Sequence, residues 1–125
     1  MKIAVTAKGT SLDDRVDPRF GRCPFYVIVE TRTMSAEALE NPNRTLADGA
    51  GVRSARLMEE SGVKAVLTGH CGPDAFEALD AAGIGVIVGA GGRIRDTMEQ
   101  LRSGALAAET GPNVPSRFGL RGDDT

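Results

Sequence analysis

Residues 63–89 read "VKAVLTGHCGPDAFEALDAAGIGVIVG". Two short apolar runs, "VKAVLTG" (63–69) and "IGVIVG" (84–89), enclose a segment with a different period. Runs this brief and this rich in β-branched residues are buried strands. The segment between them, 70–83, carries Pro73 in its first turn and Gly83 at its end, the usual marks of a helix start and stop. Its apolar residues Ala75, Phe76, Leu79 and Ala82 share one helical face. A strand, a helix and a second strand in such close succession demand parallel pairing through a right-handed crossover. The pattern continues in "AGGRIRDTMEQLRSG" (90–104), a helix whose apolar face is Ile94, Met98, Leu101 and Ala105.

Toward the N-terminus, "VRSARLMEESG" (52–62) is a further helix. Val52, Ala55 and Met58 share its apolar face, and Gly62 stands where a C-terminal cap belongs. "KIAVTA" (2–7) is a buried strand bounded by Gly9. "FYVIVE" (25–30) is apolar on both faces and so belongs inside a sheet rather than at its edge. "AEALEN" (36–41) has helix-favouring residues but is too short to stand alone, and a third strand paired with the second fits the layout better. The first half is therefore a meander and the second half two strand–helix units. The fold class is α/β, with a mixed five-stranded sheet flanked by helices.

The chain has 125 residues, 41% of them hydrophobic, which suits one packed domain. Its folded part is expected over residues 1–108. From 109 to 125 periodicity gives way to Gly, Pro and charge, so this segment is expected to be a mobile tail. A net charge of -2 argues against a dedicated nucleic-acid binder. No apolar run reaches the length of a signal peptide core or a membrane span, so a cytoplasmic protein without membrane attachment is expected. Two cysteines, Cys23 and Cys71, do not make a secreted disulfide framework.

In open sheets of this kind ligands bind beyond the carboxyl ends of the parallel strands. Three loops are expected near that edge: the one after the first strand, "TGHCGP" (68–73) and "VGAGGR" (88–93). In "TGHCGPDAF", Cys71 stands just before a helix N-terminus, where the dipole lowers a thiol pKa and favours thiolate. His70, the one histidine, is its neighbour. The pair are either soft ligands for a metal or metal–sulfur cluster, or a small residue in a tight turn beside a surface imidazole. In "RFGRCPF" (19–25), Cys23 precedes Pro24 and is held extended. Arg19 and Arg22 supply donors for an anion or a thiolate, and Lys8 and Arg15 add positive charge.

Other chemistries fit less well. There is no C-x-x-C and no second histidine, so a closed zinc site is not indicated. Adjacent Cys71 and His70 are poorly placed as a nucleophile–base pair. "VGAGGRIRD" follows a strand and opens a helix, yet lacks the dinucleotide fingerprint; its N–H groups suit some anion better than a nucleotide. "ADGAGVRSA" makes a similar approach, with Arg53 close by. Asp13, Asp14 and Asp17 are interrupted by Arg15 and read as a solvated, charge-balanced loop rather than a hard-cation site.

Taken together, "MKIAVTAKG", "DPRFGRCPFYVIVE", "ENPN", "GAGVRSARLMEESGVKAVLTG", "GPDAFEALDAAGIGV" and "LRSGAL" resemble the nitrogenase iron–molybdenum cofactor-binding accessory family, the dinitrogenase iron-molybdenum cofactor biosynthesis domain. That family is related to the nitrogenase cofactor carriers and to a molybdenum–copper cluster protein. The resemblance covers roughly residues 1–106. It implies a three-layer α/β/α fold with a ribonuclease-H-like motif but no nuclease chemistry. It also implies a protein that is not an enzyme, and that binds or carries a metal–sulfur cluster among cofactor-assembly proteins.

Arg19, Phe20, Gly21 and Arg22 match the family's loop, and Gly69, Gly72 and Pro73 its second turn. Where the cofactor-carrier branch has histidine after "FG" this chain has Arg22, so another iron–sulfur or molybdenum-containing cluster is implied as readily as the nitrogenase cofactor itself. On this basis Cys23 and Cys71 are expected to be thiolate ligands and His70 a third ligand or a nearby donor. Arg19 and Arg22 would neutralise cluster charge, and Gly49, Gly51, Gly69, Gly72, Gly91 and Gly92 would turn backbone N–H groups toward sulfides. A monomer or weak homodimer is expected. Two alternatives come from other classes: a small-anion or nucleotide-binding regulatory module with structural cysteines, and a protein–protein adaptor using "SRFGLRGDD" (116–124).

Overall fold

Apolar residues fill four of the six positions of Lys2–Ala7, the first strand (β1), and it is buried from its second residue onward. Ile3, Val5 and Ala7 point into one apolar cluster and Ala4 into another, so both faces of the strand are covered. The computed structural model describes residues 1–104. β1 pairs antiparallel with β2 (Phe25–Glu30), which pairs antiparallel with β3 (Ala36–Glu40). The chain continues through α1 (Ala50–Glu60), β4 (Ala65–Leu67), α2 (Pro73–Ala81), β5 (Gly85–Ile87) and α3 (Ile94–Ser103). β4 is parallel to both β1 and β5. The sheet order is β3-β2-β1-β4-β5, and β2 alone opposes the other four strands. That order with one reversed strand is the ribonuclease-H-like arrangement expected above.

Three layers result. On one face Ile3, Val5, Leu67 and Ile87 pack with Ile94, Met98 and Leu101 of α3. On the other Ala4, Tyr26, Val66 and Val86 pack with Ala55 and Met58 of α1 and with Ala75 and Leu79 of α2. β3 carries the helix-favouring "AEALE" yet is a strand, because five backbone pairings to β2 outweigh a weak local preference.

Several expected details differ. α1 starts at Ala50, two residues before the expected start, and its buried residues are Ala50, Ser54, Ala55 and Met58. Val52 is not on the buried face; it is 43% exposed, because the stripe facing the sheet is set by Ala55 and Met58 and leaves Val52 at the rim. α2 starts at Pro73, since Gly72 is extended and serves as the N-cap. α3 ends at Ser103, with Gly104 as its left-handed cap. Ala105, the 109–125 segment and its "SRFGLRGDD" contact lie outside the described residues.

Candidate functional site

The carboxyl ends of β1, β3, β4 and β5 share one edge of the sheet, and four connections meet there. Arg19 pairs with His70 in an isolated parallel bridge. The Phe20 N–H donates to the His70 carbonyl at 3.2 Å. Below them the Thr6 hydroxyl donates to the Asp17 carbonyl at 2.6 Å and lies 2.8 Å from the Thr68 hydroxyl. The backbones approach closely: a Cβ on Gly69 would lie 2.8 Å from Pro18 Cα, and one on Gly21 would lie 2.9 Å from Gly51 N. Only glycine permits those contacts without a shift of backbone.

These contacts shape an open cleft of about 440 Å³. Arg19 to Arg22 form one wall, residues 47–52 another, and His70 with Gly72 to Ala75 the third. Two helix N-termini enter it. Neither α1, capped by Gly49, nor α2, capped by Gly72, has a side-chain hydrogen bond at its cap. Their first-turn N–H groups therefore remain available, and the positive ends of both helix dipoles meet at one place. Gly49 adopts φ 76, a left-handed conformation that admits a side chain only with strain. Of the glycines expected at the site, Gly49, Gly51 and Gly72 line the cleft and Gly69 locks the turn behind it.

Gly91 and Gly92 are not brought to this cleft. Their turn leads to α3, on the opposite face of the sheet. The α3 N-terminus is already satisfied there: Ile94 N–H donates to the Asp14 carbonyl at 2.9 Å and Arg95 N–H to Leu12 at 2.8 Å. Val16 N–H donates to the Gly92 carbonyl at 2.8 Å. The first loop fills the site that an anion would need.

Charge in the cleft is finely balanced. Arg19 donates through its main-chain N–H, Nε and NH2 to the Asp17 carboxylate, at 2.9, 3.2 and 3.2 Å. Asp17 is only 3% exposed, so it is not part of a solvated acidic loop. Burial pushes its carboxyl up, but hydrogen bonds and charge from Arg19, with Lys8 adding to them, hold it below the usual carboxylate value. Arg22 NH1 donates to the Arg44 carbonyl at 3.0 Å and to the Leu46 carbonyl, fastening the 44–46 segment while keeping its own charge uncompensated. Asp48 and Asp74 also line the cleft. Side-chain charges nearly cancel, and the net pull on an anion comes from backbone N–H groups and Arg22.

The two cysteines sit differently from the expected pair of thiolates. Cys23 is fully buried in the cluster that also holds Phe20 and Tyr26, and its thiol lies 3.4 Å from the Phe20 carbonyl. Burial pushes it up to about 12. Cys71 is half-buried against the α1–α2 cluster. It stands one residue before the Gly72 cap, and desolvation prevails over the expected lowering by the helix dipole, raising the thiol to about 11. Both cysteines are free thiols, and neither lines the cleft. His70 does line it. Among the described residues no group of three His, Cys, Asp or Glu side chains is arranged to hold a metal ion.

The sequence misplaces one residue that builds the site and passes over another. Asp17, read with Asp13 and Asp14 as a solvated loop, is instead buried and hydrogen-bonded to Arg19, and the "DPR" run, an acid two residues before an arginine, is the readable signal for it. Asn41, 2% exposed, donates through Nδ2 to the carbonyls of Gly21 and Cys23 at 3.1 and 2.8 Å. Its Oδ1 accepts from Asn43 N–H at 2.9 Å. The "ENPN" turn thus clamps the arginine loop from outside the sheet.

The dinitrogenase iron-molybdenum cofactor family model matches residues 1–104. The chain belongs to that family. Family membership places it among nitrogenase-associated cofactor domains. A similar fold is seen in the apo form of the orange protein from Desulfovibrio gigas, at 40% identity and a TM-score of 0.84, covering 91% of this chain and 95% of that one. A Thermotoga protein named as a NifB candidate is 28% identical with a TM-score of 0.72, covering 82% and 88% of the two chains. An uncharacterised protein of Methanocaldococcus jannaschii is 35% identical over 89 residues, 69% of this chain and 72% of its own. Among the described residues, no helix of this family member is long and apolar enough to cross a membrane.

Proposed function

We propose that this protein binds a preformed anionic metal–sulfur cluster, iron–sulfur or molybdenum-containing, as cargo in cofactor assembly, and that it has no catalytic role. The observation that carries this reading is the cleft where two helix N-termini without a side-chain cap meet beside Arg22 and Arg19. A cluster brings its own sulfides, and sulfides need hydrogen-bond donors and positive potential rather than a full set of protein ligands. The donors present fit such a group: N–H groups of α1 and α2, the two guanidiniums, and His70. Cys71 adjoins His70 and is the thiol within reach if a protein ligand is used. Cys23 is fully buried and does not line the cleft, so it is reached only through a local opening of the structure. The family relationship and the names of the similar proteins support a cofactor-assembly setting with assembly proteins as partners.

The test is anaerobic purification and reconstitution with iron, sulfide and molybdate, read by visible spectrum and elemental analysis. Stoichiometric metal and sulfide with a charge-transfer band is expected in the wild type. Arg22→Ala is expected to lose most of it, and Cys23→Ser to retain it. Cys71→Ser separates a cluster anchored by a thiolate from one held by hydrogen bonds and charge alone. A wild-type protein that remains colourless and metal-free after reconstitution would refute the proposal.

A further inference from the structure

A second groove, of about 450 Å³, runs along the outer side of α1 and shares Val52 with the cleft. Pro42 and Asn43 form its back, and Arg53, Arg56 and Leu57 its helical side. Val52 is the exposed large apolar residue of the described part of the molecule. Arg53 and Arg56 lie one turn apart, both exposed, and neither guanidinium has an ion pair or hydrogen bond among the described residues. Arg19, Arg95 and Arg102 pair with Asp17, Asp13 and Glu99, and Arg22 donates to backbone carbonyls. Arg15, Arg32, Arg44 and Arg93 also lack a side-chain ion pair among the described residues, so what sets Arg53 and Arg56 apart is their shared place in a groove beside the exposed Val52. Two free cations beside an exposed valine and a half-buried leucine form a surface with both charge and apolar character.

We infer that this groove docks an acidic, partly apolar segment of another protein, the one that delivers or receives the cleft's cargo. The identity of that partner rests on the cluster-carrier reading; the docking chemistry does not. Carboxylates would meet Arg53 and Arg56, and a small apolar side chain would cover Val52 and Leu57. A polyphosphate backbone is disfavoured, because two arginines beside Glu60 are too few cations for a continuous run of phosphates and the chain as a whole is net negative at -2, whereas one or two carboxylates are matched by Arg53 and Arg56. Sharing Val52 places a docked segment at the lip of the cleft, where transfer of cargo needs it.

The test uses the full chain without cargo and a fluorescein-labelled peptide of glutamate pairs alternating with leucine, against the same peptide with lysine replacing glutamate. Anisotropy is expected to show binding of the glutamate peptide only, weakening with salt. In ¹⁵N spectra, shifts are expected at 42–43 and 52–57. Reversing both charges, Arg53→Glu with Arg56→Glu, is expected to weaken binding about tenfold, from two exposed charge pairs each lost and inverted. The Lys/Lys variant is expected to keep most of it, and an unchanged urea midpoint shows that the fold is intact. Equal binding of both peptides, shifts elsewhere, or no effect of charge reversal would overturn the inference. Loss of peptide docking with normal cluster uptake would sink this inference alone. Docking without cluster uptake would sink the carrier reading and leave an acidic-segment docking site.

Discussion

Gly51→Ala should destabilise the protein, although alanine is the better helix former. Gly51 is the second residue of α1, and a Cβ there would stand 2.8 Å from Ala75 Cβ on α2. Ordinary carbon–carbon contact is about 3.5–4.0 Å. Ala75 has no rotamer with which to yield and is 5% exposed. Nor can α1 retreat freely, because the arginine loop is packed against it so closely that a Cβ on Gly21 would lie 2.9 Å from Gly51 N. Overpacking of this kind costs about 1–3 kcal/mol. The gain in helix propensity is at most about 1 kcal/mol and smaller in a first turn.

The net loss should be about 1–2 kcal/mol, a fall of roughly 1 M in the urea midpoint at the slopes usual for small domains. Ala75→Gly alone should also destabilise, by about 0.5–1 kcal/mol. Combined with Gly51→Ala it restores the lost space, so the double variant should be more stable than Gly51→Ala alone, with a favourable coupling of about 1–2 kcal/mol. A Gly51→Ala midpoint above wild type, or strictly additive effects in the double variant, would refute the claim that these glycines set the spacing of the cleft walls.

The thiols supply a chemical check. With Cys71 raised to about 11 and Cys23 to about 12, labelling of the folded protein by an aromatic disulfide reagent should be slow at neutral pH and accelerate roughly tenfold per pH unit up to about pH 11; a plateau near pH 9 would show a thiolate already formed. Stability should fall in alkali. Below pH 9.0, the usual thiol value, both folded and unfolded thiols keep their protons; above it only the unfolded chain releases them. The loss approaches about 1.4 kcal/mol per pH unit per thiol until the folded groups ionise, and Cys23→Ser should flatten the slope in urea melts between pH 9 and 11. Asp17 has the opposite sign: its lowered carboxyl stabilises the fold above 3.8 and loses that contribution as pH falls through its folded value. Asp17→Asn should lower the midpoint at neutral pH and flatten the acid limb; an unchanged acid limb would dissociate Asp17 from the Arg19 network. Tyr26→Phe removes the phenol that donates to the Phe20 carbonyl and should cost about 1 kcal/mol, with faster labelling of Cys23 as its readout.

The strand–helix rhythm of 63–104 was legible because buried parallel strands and their crossover helices carry strong, distinct periodicities. From it and the resemblance came the mixed sheet, the helices on both faces, and the edge at which the loops gather. Periodicity says less at the ends of elements, and so Val52 was placed in the core: one apolar residue in a first turn looks alike whether it faces the sheet or the rim. The site was legible in part. Arg19, Arg22, His70 and the glycines of α1 and α2 do meet, because β1, β3 and β4 deliver their carboxyl ends to one edge.

Which glycine turn stays open was settled by tertiary contacts alone. "VGAGGR" and "ADGAG" look equivalent as sequence, yet the first loop folds onto the α3 N-terminus and consumes its donors, while α1 keeps its own. The state of the thiols was likewise outside the sequence. A cysteine before a helix promises a low pKa from local dipoles, but desolvation depends on what packs around it, here the apolar cluster that buries Cys23 with Phe20 and Tyr26 and half-buries Cys71. Local chemistry is written in neighbouring residues; burial and competition for donors come from segments far along the chain, and only the folded arrangement decides them.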